Sequence, residues 1–101
     1  MKDNTLSQYE KYAIVNILTM IMEADTIIHP KEIEYINSIL ADFAITVDDN
    51  EHMEHMDMAM CLSIIKNMSK ENQRNAKEMF ITMATIDGFF DPREKKLIES
   101  L

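Results

Sequence analysis

Apolar residues recur along this chain at steps of three and four, the period of an α-helix, almost from end to end. Leu6, Tyr9, Ala13, Ile17, Met20, Ile21 and Ala24 mark one face of a first helix. Its start is expected near Thr5 or Ser7, because Thr5 with Gln8, or Ser7 with Glu10, makes a capping box; Asp25 closes it. A second helix is expected from Pro30, whose missing N–H does no harm in a first turn, with Ile33, Ile36, Leu40 and Phe43 facing inward. After a connector over 44–47, Thr46, Asp48 or Asp49 caps a third helix whose buried stripe is Met53, Met56, Met60, Ile64 and Met68. Ser69 caps a fourth, running through Ala76, Met79, Phe80, Met83 and Ala84 to Ile86. Asp91 caps a short fifth at Pro92, with Leu97, Ile98 and Leu101 apolar. The expectation is an all-α, compact single-domain bundle of about five helices spanning residues 1–101. One glycine and two prolines are too little punctuation for an all-β fold.

A repeat sharpens this picture. Asp25-Thr26-Ile27-Ile28-His29-Pro30-Lys31-Glu32 returns 62 residues later as Asp87-Gly88-Phe89-Phe90-Asp91-Pro92-Arg93-Glu94. Ile17, Ile21, Ile36 and Ile39 then fall opposite Met79, Met83, Ile98 and Leu101, which implies two similar helix–loop–helix units. The acids of the repeat have a structural use. With His29 or Asp91 as N-cap, Glu32 and Glu94 occupy the third helical position and reach back to the cap N–H, worth about 1 kcal/mol. They also have a ligand use: Asp87-Gly88, Phe90 and Glu94 match the fifth, sixth, eighth and twelfth positions of an EF-hand loop. Met83 and Thr85, or Ile21 and Glu23 in the first copy, stand where that loop needs its first oxygen ligands, so tight calcium binding is not expected. A weakly bound divalent cation at Asp87, Asp91 and Glu94, or at Glu23, Asp25 and Glu32, is the form of metal site the spacing allows.

The net charge of −8 changes the picture further, because it sits in one stretch. From Glu32 to Ile65 there are eight acids and no Lys or Arg, while the rest of the chain is balanced. Such a surface repels phosphate backbones, so nucleic acid is not an expected partner. It suits a protein with a basic surface, met by Asp48, Asp49, Glu51, Glu54 and Asp57 within the acidic face from Asp42 to Asp57; self-association stays open. No apolar run is long enough to cross a bilayer, no signal peptide is visible, and the single cysteine, Cys61, reads as a small buried hydrophobe. The cytoplasm is the expected location.

Other constellations add less. Glu51, His52 and His55 share a helix flank and offer imidazole with carboxylate, too few ligands for a durable zinc or nickel site. The ten methionines read as core filling, with Met22 and Met58 falling off the stripes as exposed contacts. No nucleophile–base pair is placed by the sequence, and one glycine leaves no phosphate-cradling loop, so an enzyme is not expected.

The acid-turn-apolar-x-x-x-Glu loop after Glu23-Ala24, and its second copy at Asp87 to Glu94, resembles the TerB-like family, the tellurite-resistance TerB proteins and their relatives. The resemblance extends from about Tyr12 to Leu101. Thr26 stands where that family favours glycine, and His29 where a polar or acidic residue is usual. The resemblance implies an all-helical, non-enzymatic bacterial module of stress or tellurite response that associates with proteins or metal. The alternatives are a divalent-cation-binding stress protein with ions at both loops, and a small hydrolase acting through Asp25 with Glu32 or Asp87 with Glu94.

Overall fold

α1 is apolar on nearly every side, and the rest of the chain folds around it. In the computed structural model, which describes residues 6–24, 29–86 and 96, this helix spans Gln8–Ala24. Ala13, Ile14, Ile17, Leu18 and Ile21 have no solvent-accessible surface, and Tyr12 and Val15 are nearly as deep. The sequence expectation of a single inward face is therefore too narrow: Ile14, Val15 and Leu18 close the ring, while Tyr9 lies exposed. A helix apolar all round belongs at the centre, and α1 touches each of the other four described helices. Its start is the Ser7–Glu10 box. The Ser7 N–H donates to Glu10 Oε1 at 2.8 Å and the Glu10 N–H to Ser7 Oγ at 3.2 Å.

Four further helices follow among the described residues: α2 over Pro30–Asp42, α3 over Val47–Glu54, α4 over Met58–Lys66 and α5 over Lys70–Thr85. The all-α bundle is as the periodicity anticipates. α2 begins at Pro30 with His29 in extended backbone before it, and the His29 N–H donates to Glu32 Oε1 at 3.1 Å. Ile36, Ile39 and Phe43 are its buried apolar residues and Leu40 packs against them, whereas Ile33, expected inside, is exposed. α2 ends in a Schellman arrangement: Ile45 N–H donates to the Leu40 carbonyl at 3.0 Å and Ala44 N–H to that of Ala41 at 3.1 Å. Ala44 takes the left-handed conformation this ending demands, with φ 56°. A side chain there costs about 1–2 kcal/mol, and the burial of Ile45 and Leu40 against the core helps hold the turn.

The expected third helix is two helices. Its apolar stripe assumed one unbroken phase, but the chain turns at His55 and restarts when Asp57 accepts the Met60 N–H at 2.8 Å. The restart re-phases α4, although Ile64 still packs against the core and Met68 stays buried, as the expected stripe has them. Met53 and Met56 stay inside, Cys61 and Ile65 become the buried positions of α4, and Met60 turns outward at 48% exposed. Met22 and Met58, expected outside, are half-buried, and Met22 packs against the core. α5 follows expectation: Ser69 Oγ accepts the Asn72 N–H at 3.1 Å, and Ala76, Met79, Phe80, Met83 and Ala84 are buried.

The repeated loops themselves, 25–28 and 87–94, and most of the expected last helix lie outside the described residues. Within them, the paired positions Ile17 with Met79 and Ile21 with Met83 are all buried.

Candidate functional site

α3 carries the densest part of the acidic stretch, and its placement decides which acids face outward. Eight residues are too few to be helical alone, so α3 depends on what grips it. At its start, Asp49 folds back on the N-cap: its Oδ2 accepts the Thr46 N–H at 2.7 Å and the Thr46 hydroxyl at 3.1 Å. The same carboxylate reaches α1, where Tyr12 donates its hydroxyl to Asp49 Oδ1 at 2.5 Å. At its end, Asn16 Nδ2 donates to the Met53 carbonyl at 3.1 Å and approaches Cys61 Sγ at 3.7 Å, joining α1, α3 and α4 through one amide. Met53 and Met56 close the apolar side. His52 lies parallel to the Tyr12 ring, centroids 6.3 Å apart, and Tyr9 meets Tyr12 edge-on at 6.0 Å.

The electrostatics of this grip follow from its hydrogen bonds. The Thr46 N–H, then the Tyr12 hydroxyl, favour the ionised Asp49 and hold its carboxyl below the usual carboxylate value; nearby His52 adds to this. The Tyr12 phenol moves up in turn, chiefly because Asp49 takes its proton as a hydrogen bond. Burial pushes the Cys61 thiol up, only partly offset by Asn16, so it stays a neutral thiol.

The five acids expected to form one partner surface thus divide. Asp49 is spent on Thr46 and Tyr12, while Asp57 caps α4 through one carboxylate oxygen and is itself exposed. Asp48, Glu51 and Glu54 remain exposed, with Asp42 exposed at the end of α2. Asp48 lies in the first turn of α3, where the helix dipole welcomes a negative charge; Glu54 lies in the last turn, where it does not. Val47 sits at the head of this face, 83% exposed. Val47, Glu51 and Glu54 stand at i, i+4 and i+7, so they form one outward line.

The residues suggested for a cation fare differently. Glu32 is buried, 2% exposed, and engaged with the His29 N–H, while Glu23 is exposed at the end of α1. Asp25, Asp87, Asp91 and Glu94 lie outside the described residues. Among the described residues no three His, Cys, Asp or Glu side chains come together to hold a metal. The Glu51–His52–His55 flank is broken, because His55 is the C-cap of α3 and His52 lies against Tyr12.

Tyr12 and Asn16 are the two site residues that periodicity passed over. The signal for Asn16 was its position, the single amide in the run from Tyr12 to Leu18. Comparison with family models, curated proteins and solved structures finds no match for this chain. Among the described residues no helix is long and apolar enough to cross a membrane.

Proposed function

We propose that this chain is a non-enzymatic association module of the cytoplasm, of the TerB-like stress- or tellurite-response kind, which presents the outer face of α3 to a basic protein surface. One observation carries the reading. Glu51 and Glu54 are exposed in line with a nearly fully exposed valine, on a short helix whose inner side is fastened to α1 by Tyr12 and Asn16. Glu54 does nothing for its own helix, being at the wrong end of the dipole. An apolar residue among like charges is the composition of a contact that needs both steering and burial.

Affinity capture tests this. The wild-type chain and an E51Q/E54Q variant are immobilised, and lysate of the source cell is passed over both at about 0.05 M and about 0.5 M salt, where screening lengths differ several-fold. Partners held by the wild type at low salt should be lost from the variant and at high salt. An identical set of proteins on both, at either salt, would overturn the reading.

A further inference from the structure

A second surface has the opposite sign. Between the end of α4 and the outer side of α5 runs an open groove of about 590 Å³, lined by Lys66, Lys70, Arg74 and Lys77, with a single acid, Glu78, over a floor of Ile65, Phe80 and Ile81. All four cations are exposed, and Ile81 is 43% exposed. On a chain of net charge −8 with ten basic residues, four of the ten gather here.

The order of residues along the two helices matches. On α5, reading backward from Ile81, Lys77 is four residues away and Arg74 seven. On α3, reading forward from Val47, Glu51 is four residues away and Glu54 seven. At a rise of about 1.5 Å per residue, both lines place charges about 6 Å and about 10.5 Å beyond an exposed aliphatic side chain. Laid antiparallel, Val47 meets Ile81, Glu51 meets Lys77 and Glu54 meets Arg74. α3 is about 12 Å long by the same rise, so it fits within this part of α5.

We propose that the α4–α5 groove of one copy receives α3 of a second copy, antiparallel, in the register Val47–Ile81, Glu51–Lys77, Glu54–Arg74. This names the basic partner of the reading above as the chain itself and rests on that reading. The two surfaces differ, so the contact is heterologous, and each copy can give and receive. So short a helix buries less than the roughly 1,200 Å² of a stable complex, which makes the association weak and concentration-dependent. Salt weakens it, because rim charges are screened.

Sedimentation equilibrium on the purified full chain tests the proposal. At about 0.05 M salt the average mass should rise above 11.8 kDa with concentration, and at about 0.5 M salt it should return toward that value. E51K/E54K and R74E/K77E should each weaken self-association at least tenfold, with unchanged helical circular dichroism because all four positions are exposed. E51Q/E54Q, which keeps side-chain shape, should weaken it in the same direction. Mixing the two reversed variants restores opposite signs across the contact and should restore the mass. A wild type that stays at 11.8 kDa at every concentration would overturn self-docking while leaving intact a foreign partner captured through Glu51 and Glu54. Association that survives both reversals, or reversed variants that do not pair on mixing, would overturn it as well.

Discussion

Tyr12 and Asn16 are the polar side chains of an otherwise apolar stretch of α1, and both donate a hydrogen bond to α3. A buried tyrosine needs a partner for its hydroxyl, and a carboxylate is the strongest acceptor a side chain offers. The consequence is a pH dependence with two signs. Asp49 titrates below its ordinary 3.8 in the fold, so its share of stability is present above that value and fades as pH falls through the folded value. Tyr12 titrates above its ordinary 10.0, so its share is present below 10 and fades as pH rises through the folded value. Tyr12→Phe should move the Asp49 carboxyl midpoint, followed by NMR, upward toward 3.8 without reaching it, since the Thr46 N–H still favours the charge. An unmoved midpoint would mean that the phenol does not hold this carboxylate.

Among the elements, the break between α3 and α4 has the widest effect. Helix caps are local chemistry, and Ser7–Glu10, His29–Glu32 and Ser69 all sit where their sequence signatures place them. Asp57 carries a cap signal too, but it stands inside a run whose three- and four-residue steps read as one helix. Periodicity reports the face of a helix and not its continuity, so Met60 looked buried. The cap role of Asp57 is separable from any contact role. Asp57→Ala should cost about 1 kcal/mol, a melting shift of about 4–8 °C in a domain of this size, whereas Asp57→Asn should cost far less because asparagine caps as well. Equal losses in the two thermal melts would assign Asp57 to its charge instead.

At the scale of the molecule, the charge is segregated and the core is hung on one helix. α1 packs against all four described partners, most extensively α4 and α5, while α3 is short and gripped by few contacts. Opening of a protein follows such differences. Amide exchange should therefore be slowest in α1 over Tyr12–Ile21 and fastest in α3, a difference of at least tenfold; α3 amides as slow as those of α1 would show that the grip of Tyr12 and Asn16 is as strong as the core itself. The all-helical class, four of the helix starts and the concentration of acids between Glu32 and Ile65 were decided by the chain alone, because period, capping and charge are properties of neighbouring residues. Tertiary structure alone decided that α1 is central, that the chain breaks at Asp57, that Asp49 faces Tyr12 while Glu51 and Glu54 face water, and that four cations line one groove. Each of those depends on which residues distant in sequence compete for the same buried space, and no local pattern records the outcome of that competition.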